Sequence, residues 1–147
     1  MILRYISMIF YKLEPHIADI RLLIRGDTPK ELFTSGYKGL YQVLLPAGCE
    51  DTDHRIPLPL TRSFHLDSPD TTSLLIDFLS SYLSQCLVDH AIYCRLDIIK
   101  LTDRHLDVQL TGHRVKTLRE IKGVSYSGAE IVKTPTGQLQ TTVIFDI

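Results

Sequence analysis

Two aspartates near opposite ends of the sequence carry the kind of side chain that binds a hard divalent cation. Asp146 stands next to Ile147, so an ordered end would place its side-chain carboxylate beside the terminal carboxylate. Two such anions repel one another unless a cation or hydrogen-bond donors neutralise them. Oxygen ligands of this kind suit Ca²⁺, Mg²⁺ or Mn²⁺. The sequence therefore predicts a divalent-metal site here, although a freely solvated terminus explains the same residues equally well.

The second aspartate, Asp19, follows His16 by three residues. Apolar and polar residues alternate over Ile17–Arg25, which predicts a half-buried strand with Asp19 on its polar face. His16 would share that face only from a turn or bulge before the strand. Spacing alone favours a simpler interpretation, in which Asp19 is a surface carboxylate paired with Arg21.

Two other groups of residues could bind a ligand, but each has an ordinary surface interpretation. The segment 46–56 contains metal-ligand residue types without the glycine and spacing of a calcium loop, so we interpret it as a charged surface loop. A basic stretch could contact RNA or an acidic partner, and a solvated face is favoured over both. Asp27 fits the turn chemistry at a helix start. The loop supplies Cys49, Glu50, Asp51, Asp53 and His54, and the basic stretch supplies His113, Arg114, Lys116, Arg119 and Lys122.

The composition is that of an ordinary globular protein. The 147 residues suffice for one domain, which we place over residues 1–147. The 16 Lys and Arg oppose 17 Asp and Glu, and the net charge of −1 argues against nucleic-acid binding by bulk electrostatics. The sequence has no phosphate-binding P-loop, no dinucleotide-binding glycine motif and no nucleophile elbow. These absences lower the expectation of a nucleotide-dependent enzyme.

The cysteines and the apolar runs predict a cytoplasmic protein without a membrane span. Cys49, Cys86 and Cys94 are odd in number and have no C-x-x-C spacing, so we expect reduced thiols, with Cys86 in the core. The apolar start, Met1–Phe10, is too short to cross a bilayer and no cleavage site follows it. We therefore expect an opening strand there.

The helices are the most clearly predicted elements. Thr28 and Glu31 form a capping box around Pro29, which suits the first helical position, and the helix should run to about Leu45. Asp70 begins a second helix with an apolar stripe. Strands are predicted at 56–66, 92–101, 105–111, 120–132 and 138–147. The order ββαβαββββ predicts an α+β fold, with two helices packed on mixed or antiparallel sheets.

Several segments, taken in order, resemble the archease family. The resemblance is collinear from about Phe10 to the last residue, and this shared order makes the set of short motifs specific. Segments 13–20 (LEPHIADI), 26–33 (GDTPKELF) and 74–79 (LLIDFL) resemble the HTAD strand motif, the GDSLEEAF helix start and the second helix of the family. Segments 121–127 (IKGVSYS) and 143–147 (VIFDI) are similar to its VKAVTYH and terminal VIxDI motifs.

The resemblance implies both a fold and a role. Archeases are α+β accessory proteins of the RtcB-type RNA ligase, which seals RNA ends in tRNA splicing, and they promote the ligase's guanylylation and repeated turnover. The family's metal-binding acids match Asp19 and Asp146, and its motif histidine matches His16. The resemblance thus implies that the two acids lie on neighbouring strands and share one divalent ion.

We therefore predict a metal-binding protein cofactor that activates an RtcB-type ligase and meets tRNA or other RNA only through that ligase. The predicted metal ligands are Asp19, Asp146, Ile147 and His16, and the predicted partner contacts are Asp27 and Lys122. One alternative is a small metal-dependent phosphoesterase or nuclease that activates water with the same carboxylates. The other alternative is a chaperone-like interaction module, whose partner binding would survive chelation.

Overall fold

Eight strands and two helices make up the described part of this computed structural model, which covers residues 9–15, 19–50, 57–126 and 130–147. The first elements in chain order are β1 (Phe10–Pro15), β2 (Asp19–Gly26), α1 (Pro29–Leu44), β3 (Leu60–Asp67) and α2 (Thr71–Asp89). The remaining elements are β4 (Ala91–Leu101), β5 (His105–Arg114), β6 (Gly123–Tyr126), β7 (Val132–Lys133) and β8 (Leu139–Asp146).

The strands form two sheets, and every described strand pair is antiparallel. The first sheet has the order β1-β2-β8-β6, with β7 also paired to β8, and the second sheet has the order β3-β5-β4. Both helices pack against strands of both sheets, and the buried apolar residues lie at these interfaces. The predicted α+β fold is confirmed, and of the two sheet types expected the antiparallel one is found.

Both helices begin with side-chain caps, of which the sequence predicts the one at α1. The hydroxyl of Thr28 accepts a hydrogen bond from the backbone N–H of Glu31, and the Glu31 carboxylate accepts one from the backbone N–H of Asp27 at 2.8 Å. The carboxylate of Asp70 accepts from the backbone N–H of Ser73 at 2.7 Å. This bond lowers the pKa of Asp70. Local residue chemistry therefore sets the start of each helix.

Helix α1 runs antiparallel to β2, and two glycines allow the close approach. A Cβ atom at Gly36 would lie 3.3 Å from Ile24 Cδ1, and one at Gly39 would lie 2.5 Å from Leu22 Cδ2. As α1 advances along the chain, its contacts therefore move back along β2. The C-terminal end of α1 consequently lies at the same end of the first sheet as Asp19.

Three buried tyrosines join the helices to the second sheet. The hydroxyl groups of Tyr37 in α1 and Tyr82 in α2 both donate to the backbone carbonyl of Tyr93 in β4, each at 2.8 Å. The Tyr82 hydroxyl also accepts from the Tyr93 backbone N–H at 3.3 Å. Burial raises the pKa of Tyr37 and of Tyr82, so both hydroxyls keep their protons as donors.

The sequence prediction of one strand over 120–132 is wrong, because the described residues form two shorter strands there. Strands β6 and β7 pair with opposite ends of the same strand, β8. Between them the backbone N–H of Ile131 bonds to the Thr72 hydroxyl at the start of α2, at 3.2 Å, so the chain leaves the ladder. The predicted opening strand, Met1–Phe10, falls mostly outside the described residues, and β1 begins at Phe10.

The prediction of reduced thiols is wrong for Cys49 and Cys94, which form a disulfide with Cα atoms 5.3 Å apart. These residues are separated by 45 positions, so their meeting depends on how α1 packs against β4 and not on local spacing. Cys86 is the buried core thiol that the helical pattern predicts. Burial raises its pKa to about 12. Neither described helix is both long and apolar enough to cross a lipid bilayer.

Candidate metal site

The first sheet brings Asp19 and Asp146 together at one of its ends. These residues are the first of β2 and the last of β8, and the register pairs them directly. Directly opposed residues of an antiparallel pair project to the same face, with Cβ atoms about 5 Å apart. Their neighbours Ile20 and Phe145 project toward α1, so both carboxylates lie on the face away from this helix. The register agrees with the expected neighbouring strands, and ion binding itself stays a prediction.

Asp146 is also held from its other side, by β6. Gly123 is paired with Asp146 in the β6–β8 register, and the Lys122 backbone N–H donates to the Asp146 carbonyl at 2.7 Å. A Cβ atom at Gly123 would lie 3.7 Å from Asp146 Oδ2, so the carboxylate lies beside a residue that adds no side chain. Sequence reasoning missed Gly123, because its place beside Asp146 depends on a register that no local pattern reveals.

Asp19 has a cationic neighbour on the same face of β2. The Nε atom of Arg21 lies 3.5 Å from Asp19 Oδ1, and the two side chains are 38% and 18% exposed. This is the surface pairing that spacing alone favoured. The guanidinium is therefore a positive charge beside the Asp19 carboxylate, in the place where a divalent cation would also be attracted.

The donor chemistry of the two aspartates fits part of an oxygen-ligand shell. Over the described residues, no three His, Cys, Asp or Glu side chains are grouped so that they could hold a metal ion. Ca²⁺ takes roughly six to eight oxygen ligands and Mg²⁺ keeps several waters. The pair therefore fits a hydrated ion better than one enclosed by protein.

The remaining two predicted ligands have no described contact with the pair. His16 lies outside the described residues. Ile147 follows β8 directly and is 38% exposed. Participation of Ile147 and of the His16 ring in an ion site stays a prediction.

The two predicted partner contacts lie at opposite ends of the first sheet. Asp27 follows β2 at the end distant from Asp19, separated by roughly 26 Å of extended chain. Its backbone N–H bonds to the Glu31 carboxylate, as expected of a residue at a helix start. Lys122 is exposed and directly precedes Gly123, beside the acidic pair. Lys122 therefore lies beside the acidic pair and Asp27 lies far from it, and the role of each as a partner contact stays a prediction.

The other two sequence candidates are only partly within the described residues. Residues 46–50 form turns after α1, and 51–56 lie outside the described ranges. In the basic stretch, His113 Nε2 lies 3.2 Å from the Gly48 carbonyl, and Arg114 donates to the Asp89 carbonyl at 2.9 Å. Lys116 and Arg119 are exposed. The stretch is therefore partly engaged in contacts within the fold.

A second cluster of ionisable side chains, on the second sheet, was missed by sequence reasoning. The β3–β5 register pairs His65 with Asp107 and Asp67 with His105. His105 lies 2.7 Å from Asp67 Oδ1 and 2.8 Å from Asp107 Oδ1, and His65 lies 2.7 Å from the same Asp107 oxygen. Hydrogen bonds to Asp67 and Asp107 raise the pKa of His105, and those from His65 and His105 lower the pKa of Asp107. The available signal was the tripeptide His-Leu-Asp, which occurs in both strands.

Proteins of one family are similar to this chain in sequence and in fold. The sequence model of the family described as the Archease protein family matches residues 11–147. The protein archease of Methanosarcina barkeri is 30% identical over 146 residues, and that of Methanosarcina acetivorans is 28% identical over 148 residues. Each alignment covers 93% of this chain and 95% of the relative.

Two solved structures share the fold. The solution structure of Methanobacterium thermoautotrophicum protein 1598 has a TM-score of 0.70 at 22% identity, covering 93% of this chain and 98% of that one. The crystal structure of an archease, named as a possible chaperone, from Thermotoga maritima has a TM-score of 0.63 at 21% identity. That alignment covers 94% of this chain and 98% of the other.

Proposed function

Because this chain belongs to the archease family, we propose that it is a non-catalytic protein cofactor that activates an RtcB-type RNA ligase in tRNA splicing or RNA repair. The proposal includes a divalent cation, Ca²⁺, Mg²⁺ or Mn²⁺, held by Asp19 and Asp146. The observation that carries this part is the direct pairing of the two acids in the β2–β8 register, on the face away from α1.

The residues around the pair favour an ion that keeps some coordination positions occupied by exchangeable water. Asp19 and Asp146 would supply carboxylate oxygens, and Ile147 and the His16 ring would add to them. The bound ion would supply positive charge that a phosphate-bearing partner site can use. Gly123 adds no side chain beside Asp146, so this side of the carboxylate is open to a partner's groups.

Activation of a ligase requires that this protein bind one ligase state more tightly than another. A cofactor with equal affinity for both states shifts neither population. The proposed preference is for the guanylylated state, with the acidic pair and the neighbouring Lys122 at the contact. RNA would then meet this chain only through the ligase, in keeping with a net charge of −1.

The test is ligase guanylylation in the presence of this protein and of Asp19→Asn and Asp146→Asn variants. Both substitutions keep the side-chain shape and remove one charge, so we expect a loss of stimulation of about tenfold or more with the fold retained. Asp97→Asn is the matched control, because Asp97 is an exposed strand carboxylate of the second sheet. Full stimulation by both folded site variants would overturn the site, and failure of the unaltered protein to stimulate would overturn the ligase role.

A chaperone-like interaction module is the second candidate, favoured by the name possible chaperone given to the Thermotoga maritima relative. In that case the ion would be incidental to binding. Partner affinity would then be the same in EDTA and in millimolar Ca²⁺, whereas the proposed cofactor should lose affinity on chelation.

A further inference from the structure

The Cys49–Cys94 disulfide ties the chain after α1 to the second sheet. Cys49 lies in a turn in which the Gly48 backbone N–H donates to the Leu45 carbonyl at 2.9 Å. The ring of His113 in β5 lies 3.2 Å from the Gly48 carbonyl and provides a second contact. The turn, defined here as residues 46–50, is thus joined to the second sheet by the disulfide and by the His113 contact.

Both cysteines lie where the backbone can yield without breaking a sheet ladder. Cys49 belongs to the turn and to no helix or strand. Cys94 lies at the point where the β4–β5 register shifts between Tyr93 and Arg95, and the described pairs skip it. Both residues are half-buried, whereas Cys86 is fully buried. The disulfide therefore lies nearer the solvent than Cys86 does.

The tethered turn lies at the end of the molecule that carries the acidic pair. The contacts of α1 place the end of that helix level with the start of β2. A second observation agrees with this. The Arg119 backbone N–H donates to the Leu44 carbonyl at 2.8 Å, and the Lys122 backbone N–H donates to the Asp146 carbonyl at 2.7 Å. Three residue steps separate these donors, a span of at most about 11 Å.

We propose that Cys49 and Cys94 form a reversible thiol–disulfide exchange site for low-molecular-weight thiols and disulfides of the glutathione type. Its redox state determines whether turn 46–50 is held against β4. In reducing compartments, disulfides of this kind are transient and redox-sensing. The site is defined by its own geometry, and it does not depend on the ligase role.

Thiol–disulfide exchange at this site needs no reactant besides the small thiol or the small disulfide. A small thiolate attacks one sulfur, the protein S–S bond breaks, and the other cysteine leaves as a thiolate that takes up a proton. A second small thiol resolves the mixed disulfide, which gives two protein thiols and one small-molecule disulfide. In the reverse direction two electrons pass from the protein thiols to the small disulfide, which is reduced to two thiols.

The first experiment equilibrates the folded full-length protein in glutathione buffers of graded ratio and traps thiols with N-ethylmaleimide for mass spectrometry. We expect zero or two labels, at Cys49 and Cys94 together, with no label at Cys86. Cys86→Ser is the matched control and should give the same midpoint. Resistance of the native disulfide in the most reducing buffer, with ready reduction once the protein is unfolded, would overturn the exchange site.

The second experiment measures whether the bond holds the turn. Amide hydrogen exchange at residues 47–50 should become at least tenfold faster on reduction, and equally fast in the Cys49→Ser/Cys94→Ser variant. Exchange in β2 and β8 should not change, which separates loss of the tether from unfolding. Equal protection of the turn in the oxidised, reduced and double-variant proteins would overturn the tether.

Discussion

Substitution of Asp146 by Asn should change protein stability in opposite directions with and without a divalent ion. Asp146 and Asp19 are opposed in register, so their charges lie about 5 Å apart by strand geometry. At that distance two unit charges in water repel by about 0.8 kcal/mol. Arg21 beside Asp19 offsets part of this repulsion. In EDTA the Asp146→Asn protein should therefore be as stable as the unaltered protein or more stable, by up to about 0.8 kcal/mol.

An ion that binds the folded state reverses this order. At a concentration one hundred times its Kd, a ligand stabilises the folded state by about 2.7 kcal/mol. The Asn variant loses one of the two carboxylates and most of this gain. With the repulsion subtracted, the variant should be less stable than the unaltered protein by about 2 kcal/mol at saturating ion.

The assay is urea unfolding followed by circular dichroism, in EDTA and in graded Ca²⁺, Mg²⁺ and Mn²⁺. The midpoint of the unaltered protein should rise with the logarithm of ion concentration above Kd, and that of Asp97→Asn should rise in parallel. The reasoning is refuted if Asp146→Asn is destabilised equally in EDTA and in saturating ion. It is also refuted if no ion moves the midpoint of the unaltered protein.

Three further predictions concern the fold and its pH dependence. Gly112→Ala should cost about 3 kcal/mol of unfolding free energy by urea titration, because the new methyl group would meet the backbone of β4; an unchanged midpoint would contradict this packing. Tyr82→Phe should cost about 2 kcal/mol and Tyr37→Phe about 1 kcal/mol, because only the Tyr82 hydroxyl both donates to and accepts from Tyr93; equal losses would contradict the double role. The pKa of His105 is raised above 6.5, its value in an unfolded chain, so its ion pairs stabilise the folded state fully below pH 6.5. This stabilisation is lost as the pH rises through the pKa of the folded state. His105→Asn should therefore flatten the stability profile above pH 6.5, as measured by thermal unfolding, and a profile of unchanged slope would argue against the ion pairs.

Elements governed by neighbouring residues were predictable from the sequence. The start of α1 follows from Thr28, Pro29 and Glu31, whose hydrogen bonds and fixed φ angle act within one helical turn. The strand β2 follows from the alternation of Ile20 and Leu22 with polar residues. In each case the physical cause lies within a few residues of the effect.

Features that depend on long-range register were not predictable from local pattern. The resemblance to a family suggested that Asp19 and Asp146 would meet, but the spacing of residues did not. The Cys49–Cys94 bond was missed for the same reason, because packing of α1 against β4 closes the 45 intervening positions. The division of 120–132 into two strands depends on a contact with Thr72 in α2, which no periodicity within the segment contains.

The register between β2 and β8 links the orientation of the acidic pair to the burial of the apolar residues next to it. Ile20 and Phe145 alternate with Asp19 and Asp146, so a slip of one residue would turn the carboxylates inward and the apolar groups outward. Burial of the apolar face thus disfavours a slip by any odd number of residues, before any ion is present. Assembly of the pair also requires two strands that lie far apart in the sequence, so an ion bound there would report that β2 and β8 have paired.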